Sequence, residues 1–324
     1  MSNTQNNSNN QVIELVLRPK KWEEYVGQEK VKSNLNLIIK AAKEREESCD
    51  HLLFHGQAGL GKTTLAHIVA QEMEADIKTT SGPSLEKTGD MAAILTNVNP
   101  HEILFIDEIH RMNKSVEEIL YPALESRSLH LVVGKGPSAK TLSIDLPPFT
   151  VVGATTKANL LSSPLRSRFG AIFRLDYYTK QDIASIIKRS AEILEIPITQ
   201  KAVEKLAATS RFTPRTANRL LKRSRDWAQV HKSHQIDEEA VEKTLQMMEI
   251  DSLGLEETDR RLLKTIIEKF NGGPVGIRSL AAALSEEVGT IEEVYEPFLL
   301  QIGLLKRSSN GRVVTRDSYK HLGY

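Results

Sequence analysis

A phosphate-binding loop pattern at residues 56–63 places the strongest constraint on how this chain can fold. The run GQAGLGKT fits the pattern G-x-x-x-x-G-K-[ST], which requires a strand before the loop and a helix after it. Residues 51–55 are typical of a buried strand and residues 65–70 are typical of a helix, so both requirements are met. The sequence therefore predicts an α/β domain with a nucleotide site at the end of this strand.

The loop residues have separate tasks in nucleotide binding. Glycines such as Gly59 and Gly61 allow backbone N–H groups to surround phosphate oxygens, and the helix N-terminus adds partial positive charge. The ammonium group of Lys62 would reach the β- and γ-phosphates, and the hydroxyl of Thr63 would hold Mg²⁺. The alternative interpretation is a chance glycine-rich loop.

A second pattern, ILFIDE at residues 103–108, supplies the groups that hydrolysis needs. Its four apolar residues predict a buried parallel strand, and two carboxylates follow at the end where open α/β sheets bind ligands. Asp107 can hold Mg²⁺, and Glu108 can orient the attacking water and accept its proton. Solvated acids at a strand end are the alternative, but the two patterns in this order favour nucleotide hydrolysis.

Composition restricts the class of protein. A chain of 324 residues with a net charge of +1 has room for two or three domains and no global preference for nucleic acid or membrane. A single cysteine, Cys49, excludes an internal disulfide and a cysteine-based zinc site, and the nine histidines show no metal-binding spacing, so we predict no structural metal. Residues 1–16 predict a disordered tail rather than a signal peptide, and no apolar run is long enough to span a membrane, so we expect a cytoplasmic protein.

Three domains are predicted along the chain. Residues 17–178 alternate between strand and helix patterns and predict a doubly wound parallel sheet. The strand candidates are 51–55, 77–80, 103–106, 150–154 and 171–175. Residues 179–252 predict a small helical domain, with helices at 182–194, 201–209, 214–230 and 237–248. Residues 253–324 predict a winged helix, with helices at 258–270, 278–285 and 290–301, the first capped by Thr258, and a two-stranded wing.

Two segments have a more open interpretation. Residues 129–146 alternate apolar and polar side chains around a Gly-Pro turn and predict a projecting β-hairpin, which either packs on its own domain or docks a partner. The residues alone favour packing. The segment 211–225 contains basic residues and no acid until 226, which is typical of a solvated helix face.

The wing is also rich in basic residues. It carries Lys306, Arg307, Arg312, Arg316 and Lys320 against one acid, Asp317. This balance favours contact with DNA phosphates over a neutral surface.

Three further residues suit a multi-subunit ATPase. Thr156 follows the strand 150–154 and could orient water or sense the γ-phosphate. Arg168 lies far from the phosphate loop and could reach the nucleotide of a neighbouring subunit, although a surface salt bridge is the alternative. Arg215 opens a helix of the second domain and could contact the γ-phosphate of its own subunit.

Several longer runs resemble the RuvB family of bacterial Holliday-junction branch-migration motors. They are SGP at 81–83, DEIH at 107–110, GATT at 153–156, PLRSRFG at 164–170, TPRTANRLL at 213–221 and FNGGPVG at 270–276, and the resemblance extends from Leu17 to about Gly323. The resemblance implies an AAA+ P-loop fold followed by a helical lid and a winged helix. It also implies an ATP- and Mg²⁺-dependent DNA translocase for recombination and repair. The implied partners are a homo-hexameric ring, a RuvA-type junction-binding protein, duplex DNA at four-way junctions and a RuvC-type resolvase.

The same resemblance implies roles for individual residues. The catalytic group would be Asp107, Glu108, Thr156 and Arg168. The nucleotide-binding group would be Leu17, Arg18, Gly59, Gly61, Lys62, Thr63, Thr64, Tyr178 and Arg215, with Thr63 and Asp107 on Mg²⁺. Arg312 and Arg316 would contact DNA, and Leu142 and Ile144 on the hairpin would contact the RuvA-type partner. The chain departs from the family pattern at Gln57-Ala58, Ser126-Arg127, Lys157 and Phe212, and Asp317 stands where a second DNA-binding arginine is usual.

Two rival functions remain open on the sequence alone. One is a clamp-loader-like or protein-remodelling switch whose winged helix binds protein, and the other is a nucleotide-binding scaffold without turnover. The basic wing counts against the first, and the presence of Glu108 and Arg168 counts against the second.

Overall fold

The computed structural model describes residues 16–133 and 140–324. The predicted disordered tail, except for residue 16, and the predicted turn of the hairpin lie outside the described residues. The chain divides into two compact units, Met1–Tyr178 and Thr179–Tyr324, which are described separately below. Within the described ranges, no helix is both long enough and apolar enough to cross a bilayer.

The first unit contains a five-stranded parallel sheet, as predicted. Its strands are β1 (Leu52–His55), β2 (Ile77–Ser81), β3 (Ile103–Asp107), β6 (Thr150–Thr155) and β7 (Ala171–Arg174), in the order β2-β3-β6-β1-β7. Its helices are α1 (Glu29–Glu44), α2 (Lys62–Glu72), α3 (Thr88–Thr96), α4 (Lys114–Ser126) and α5 (Ser163–Arg166). The observed strands differ from the predicted ones by one residue at some ends.

The strand order determines where the site lies. Strand β6 lies between β1 and β3, with His55 opposite Thr155 and Ile106 opposite Gly153 in the parallel register. The carboxyl ends of these three strands therefore meet at one edge of the sheet. The phosphate loop follows β1, Thr156 follows β6, and Glu108 follows β3, so three separate parts of the sequence come together there.

The sheet is covered on both faces, which explains its continuous apolar strands. Residues 52–54 of β1 and residues 103–106 of β3 are all buried. Burial on both faces requires apolar residues in succession rather than in alternation. The edge strand β2 is only partly buried, and its sequence, IKTTS, is correspondingly more polar.

The predicted hairpin is present, and its base packs against its own domain. Strands β4 (Ser128–Val133) and β5 (Lys140–Asp145) pair antiparallel, with Leu129 opposite Ile144 and Leu131 opposite Leu142. Leu129 is fully buried, and the partly buried Ile144 packs against the core of the unit. Leu142 is 51% exposed. The base of the hairpin thus packs as the residues alone predicted, while Leu142 is available for contacts.

The second unit begins with the four predicted lid helices. They are α6 (Lys180–Ile193), α7 (Gln200–Thr209), α8 (Pro214–Val230) and α9 (Glu238–Met247). Each begins after a residue whose side chain accepts a hydrogen bond from the first turn, namely Thr179, Thr199, Thr213 and Asp237. Such caps satisfy N–H groups that have no partner within the helix, which is why the helices begin at these positions.

A winged helix forms the rest of this unit. Its helices are α10 (Glu257–Phe270), α11 (Ile277–Leu284), α12 (Val288–Thr290) and α13 (Glu296–Gln301), and a π-helical turn (Ile291–Tyr295) makes α12 and α13 continuous. The wing strands β8 (Leu305–Ser308) and β9 (Gly311–Val314) pair antiparallel as predicted. A final helix, α14 (Arg316–Leu322), was not predicted.

Two sequence predictions for this unit were wrong in detail. Thr258 does not cap α10, because the helix begins after Glu256, whose backbone N–H donates to the Asp259 carboxylate at 2.9 Å. The basic segment 211–225 is not a uniformly solvated face. Lys222 is buried, and Arg211 and Arg219 pair with acidic residues of the winged helix. The acids that balance this segment are distant in sequence, so a local count of charges could not find them.

Candidate active site

The loop after β1 has a backbone that only glycine adopts easily. Gly61 has φ +97°, and a Cβ atom there would lie 2.9 Å from the hydroxyl of Tyr25. Gly56 has φ +151°, and its Cβ would lie 2.6 Å from the carbonyl oxygen of Leu175. Larger residues at these positions would be strained and would collide with neighbours. The loop is therefore built as the sequence pattern requires.

Lys62 spans this loop. Its Nζ donates to the carbonyl oxygens of Gly56 at 2.8 Å and Gln57 at 2.9 Å, and the side chain is buried. The chain departs from the family pattern at Gln57-Ala58. The carbonyl oxygen of Gln57 nevertheless accepts from Lys62, so the lysine stays within the loop. Thr63 and Thr64 follow in the first turn of α2 and are partly exposed.

The hydroxyl groups of two tyrosines lie against the phosphate loop. The Oη of Tyr178 lies 3.1 Å from the Oη of Tyr25 and 3.2 Å from the carbonyl oxygen of Leu60. Burial, together with the neighbouring Tyr178, raises the pKa of Tyr25 well above its ordinary value, so the Tyr25 hydroxyl stays protonated. Tyr178 thus contacts the loop, as its predicted role requires, whereas Tyr25 was not found by sequence reasoning.

The remaining predicted adenine-pocket residues lie in the same unit. Leu17 is buried, and Arg18 is partly buried. Burial is the main cause that lowers the pKa of His67 on α2, and the charge of Arg18 lowers it further. Arg18 is therefore close to the helix that follows the phosphate loop.

The catalytic candidate Glu108 stands directly after β3 in a left-handed backbone conformation. Its φ is +45°, which is unusual for a residue other than glycine and is typical of functional sites that the surrounding structure holds firmly. The Oε2 atom accepts from the Oγ1 of Thr156 at 3.2 Å and lies 3.2 Å from the Nδ1 of His110. The structure thus brings the predicted Glu108 and Thr156 together.

Asp107 is held at the same edge of the sheet. Its Oδ1 accepts from the backbone N–H of Glu108 at 2.9 Å, and the side chain is partly buried. The carboxylate is therefore oriented at the strand end that also carries Thr156 and the phosphate loop.

The surroundings keep Glu108 ionised. The hydrogen bond from His110 is the largest cause lowering its pKa, burial acts in the opposite direction, and the charges of His110 and Lys62 lower it further. A carboxylate with a lowered pKa is a weak base. It is therefore suited to orienting and polarising a water molecule in the ground state.

Sequence reasoning missed the role of His110. Its Nδ1 lies 2.9 Å from the Oγ1 of the buried Thr155 as well as 3.2 Å from Glu108, so it connects the ends of β3 and β6. The motif DEIH contained this histidine, but nothing in the spacing indicated that its ring turns back onto Glu108.

The site fits a nucleotide with Mg²⁺ on its own chemistry. Side chains in place of Gly56 and Gly61 would collide with Leu175 and Tyr25, so the loop keeps its glycine backbone. The Lys62 ammonium lies within the loop, and a hydroxyl and a carboxylate, Thr63 and Asp107, lie on adjoining elements. Hydroxyl and carboxylate oxygens are ligands that Mg²⁺ prefers. Across the described residues, no cluster of three or more His, Cys, Asp or Glu side chains could hold a metal by itself.

Arg168 and Arg215 lie in different units. Arg168 is close to α4, and its Nη2 donates to Glu125 at 2.6 Å. Arg215 is exposed in the first turn of α8, after the cap Thr213 and Pro214.

Arg312, which was predicted to contact DNA, pairs with acidic residues of its own domain. Its side chain is only 12% exposed, and its guanidinium pairs with the buried Glu296 at 2.5 Å and with Glu292 at 3.0 Å. Hydrogen bonding to Glu296 raises the pKa of Arg312 further. An arginine already bound to two carboxylates has little charge left for phosphate. Arg316, by contrast, is exposed at the start of α14.

Comparison with known proteins places this architecture in a family. Residues 17–175 match the model of the Holliday junction DNA helicase RuvB P-loop domain, residues 178–251 match the RuvB AAA lid domain, and residues 252–323 match the RuvB C-terminal winged helix domain. The chain is 54% identical over 321 residues to the Holliday junction branch migration complex subunit RuvB of Chloroflexus aggregans, covering 99% of this chain and 92% of the relative. The chain belongs to the RuvB family.

Further relatives give the same result. The corresponding subunit of Chloroflexus aurantiacus is also 54% identical over 321 residues, with 99% of this chain and 92% of the relative covered. The solved structure of the Thermotoga maritima RuvB Holliday junction branch migration motor has a TM-score of 0.88 and 52% identity, covering 95% of this chain and 99% of that chain. A variant of the same protein has a TM-score of 0.89 at 52% identity with the same coverage. The fold class predicted from sequence is confirmed.

Proposed function

We propose that this protein is an ATP-driven DNA translocase that moves the branch point of Holliday junctions during recombination and repair. The observation that carries the proposal is the convergence of Lys62, Glu108 and Thr156 at one sheet edge in a chain of RuvB family architecture. A protein-remodelling switch would use the same ATPase unit, so the DNA substrate is what the experiment must test.

The nucleotide chemistry is divided among residues of the first unit. Lys62 binds the phosphates, Thr63 and Asp107 hold Mg²⁺, and Glu108 orients water with Thr156 fixing its carboxylate. Bound Mg²⁺ would neutralise phosphate charge as it develops. Leu17, Arg18 and Tyr178 border the base, and Arg215 contacts the γ-phosphate from the lid.

The assembly is a homo-hexameric ring in which Arg168 acts on the nucleotide of the neighbouring protomer. A RuvA-type protein would hold the four-way junction and bind the hairpin at Leu142, and a RuvC-type resolvase would act on the same junction. The relatives are named as subunits of a branch migration complex, which supports a partner of this kind. We propose a cytoplasmic location, because the substrate is chromosomal DNA.

The test is branch migration of a synthetic four-way junction with ATP, with and without a RuvA-type partner. We expect unwinding only with ATP, Mg²⁺ and the partner. The Lys62→Ala variant is the matched control, because it keeps the winged helix and the hairpin. Robust ATPase activity without any junction movement, in the presence of a partner that engages the junction, would favour a protein-remodelling function.

A further inference from the structure

Helix α4 carries three polar side chains at intervals of four residues. Glu117, Tyr121 and Glu125 therefore share one face of the helix, which we call the α4 stripe. Their exposure increases along it, because Glu117 is buried, Tyr121 is partly buried and the side chain of Glu125 is 66% exposed. The function proposed above makes no use of any of them.

The middle residue of the stripe is fixed at its hydroxyl. The Oη of Tyr121 donates to the Oε2 of Glu117 at 2.9 Å, and it lies 2.9 Å from the Oγ of Ser162. Ser162 in turn caps α5, since its Oγ accepts from the backbone N–H of Leu165 at 3.3 Å. The tyrosine ring is thus attached both to α4 and to the segment that leads to Arg168.

The guanidinium of Arg168 lies on this stripe. Its Cζ atom is 4.9 Å from the centroid of the Tyr121 ring, its Nη2 donates to Glu125 at 2.6 Å, and its Nη1 donates to the carbonyl oxygen of Pro164 at 2.7 Å. Its buried Nε finds no hydrogen-bond partner among the described residues. The α4 stripe and the Pro164 carbonyl therefore fix the position of the guanidinium, and this position leaves the Nε–H without a hydrogen bond.

We propose that Tyr121 and Glu125 are positioning residues that hold Arg168 in place for the nucleotide of a neighbouring protomer. The inference rests on the trans role of Arg168 proposed above. A cation that is already oriented before the subunits meet loses less freedom when it binds the transition state. The ring contact restricts the plane of the guanidinium, and the Glu125 carboxylate restricts its direction.

The two contacts differ in strength, which suits such a role. The side chain of Glu125 is 66% exposed, so its pair with Arg168 is weak and a phosphate oxygen of the neighbouring site can replace Glu125 at little cost. The ring of Tyr121 lies 4.9 Å from Cζ and uses none of the N–H groups, so Nη2 can make that exchange while the ring contact is kept. The alternative is that the stripe only stabilises the domain.

The test measures steady-state ATPase activity of the assembled full-length protein. Tyr121→Leu removes the ring, and we expect kcat to fall about three- to tenfold, with KM for ATP changed less than about twofold, because the contact acts in the transition state of a neighbouring site. Tyr121→Phe keeps the ring and should retain more activity than Tyr121→Leu. Glu118→Gln, an exposed carboxylate on the same helix but outside the stripe, is the control and should leave kcat unchanged.

Two further variants separate positioning from stability. In an Arg168→Ala background, Tyr121→Leu should cause no additional loss of kcat, because residues that act as a unit are not additive. Glu125→Ala changes an exposed side chain and should lower kcat about twofold or more without changing the melting temperature. This variant also decides the matter if Tyr121→Leu fails to fold.

The outcomes distinguish the positioning role of Tyr121 and Glu125 from the trans role of Arg168. If Arg168→Ala keeps normal turnover, the trans role of Arg168 is wrong. If Arg168→Ala lowers kcat strongly but leaves a measurable residual turnover, the positioning role is overturned and the trans role stands in either of two cases. In the first, Glu125→Ala has an unchanged or raised kcat. In the second, Tyr121→Leu lowers the residual kcat of Arg168→Ala further.

Discussion

The backbone of Glu108 adopts a left-handed conformation directly after β3, with φ +45°. A left-handed conformation at a residue other than glycine costs about 1–2 kcal/mol, so the surrounding contacts must outweigh it. Those contacts come from Thr156, which follows β6, and from His110, which lies two residues beyond Glu108. The same contacts that hold the conformation also keep the carboxylate ionised and aimed.

This arrangement predicts that binding and hydrolysis can be separated by single substitutions. Lys62→Ala should lose tight ATP binding, because the phosphate contact is removed. Glu108→Gln should bind ATP normally and lower kcat by about 10²–10⁴-fold, because the amide can no longer polarise water as a carboxylate does. Fluorescent-nucleotide binding and ATPase assays measure the two effects. Near-normal turnover in Glu108→Gln would remove this residue as the catalytic carboxylate.

The positions of site residues were predictable where a motif is contiguous and lies at the end of a strand. Lys62, Asp107 and Glu108 are of this kind, and the structure brings Glu108 to Thr156 as expected. Arg312 shows the limit, because its partners Glu292 and Glu296 lie 20 and 16 residues away on a neighbouring helical segment. Counting charges within the wing found the basic residues but could not see the acids packed against them.

At the scale of an element, ion pairs hold the wing against α13. Arg307 and Arg312 lie directly opposite each other on β8 and β9, where like charges repel. The buried carboxylate of Glu296 accepts from both at 2.5 Å, and Glu292 accepts from Arg312 at 3.0 Å, so two carboxylates offset the two positive charges. The wing therefore depends on Glu296 for its position, and Arg312 is part of that internal contact.

This pairing predicts opposite consequences for the two arginines first assigned to DNA. Arg312→Ala should destabilise the winged helix by about 1–3 kcal/mol, because the buried Glu296 loses one of its two arginine partners and keeps Arg307. Arg316→Ala should leave stability unchanged, since a cation at a helix N-terminus is not favoured there, and should lower the salt slope of DNA binding by about 1. Denaturant melts and salt titrations of DNA binding measure both. Equal stability in Arg312→Ala, with a reduced salt slope, would restore Arg312 as the DNA contact.

The hairpin also contains one residue that packs internally and one that is exposed for contacts. Ile144 packs on the core and Leu142 is half exposed, although both belong to the same apolar–polar alternation along the chain. Leu142→Ser should abolish partner-dependent junction unwinding while leaving ATPase activity and stability intact. Ile144→Ser should lower stability by about 1–3 kcal/mol, because a polar group replaces packed apolar surface. A Leu142→Ser protein with normal partner-stimulated unwinding would show that the partner binds elsewhere.

At the scale of the whole molecule, the lid and the winged helix share one buried joint within the second unit. Arg211 donates to both oxygens of Asp259, at 3.0 and 3.4 Å, and its Cζ lies 4.4 Å from the centre of the Phe298 ring. The ring of Phe212 lies 6.4 Å from the same ring. The joint begins four residues before Arg215, so it connects the proposed γ-phosphate sensor to the winged helix.

Removing Arg211 should be costly, and the cost should depend on pH. Arg211→Ala leaves the buried Asp259 unpaired and should destabilise the unit by about 3–5 kcal/mol, whereas the exposed pair lost in Arg223→Ala should matter by less than about 1 kcal/mol. Burial already raises the pKa of Asp259, and Arg211 opposes this, so the variant raises it further. A carboxyl with a raised folded pKa binds more protons when folded, so stability is regained as pH falls through that pKa. The destabilisation should therefore be smaller at pH 5 than at pH 8 in denaturant melts.

The trans role of Arg168 is a property of the assembly and is tested by mixing two inactive proteins. Arg168→Ala keeps its phosphate loop, and Lys62→Ala keeps its arginine, so a mixed ring contains interfaces that join an intact loop to an intact arginine. In a random equal mixture these are about a quarter of all interfaces, and ATPase activity should reappear in proportion to them. An arginine that acted within its own protomer would restore nothing, because every protomer in the mixture lacks one of the two groups. Absence of activity at every mixing ratio, with mixed rings demonstrated by differently tagged subunits, would therefore assign Arg168 to its own subunit or to a surface ion pair with Glu125.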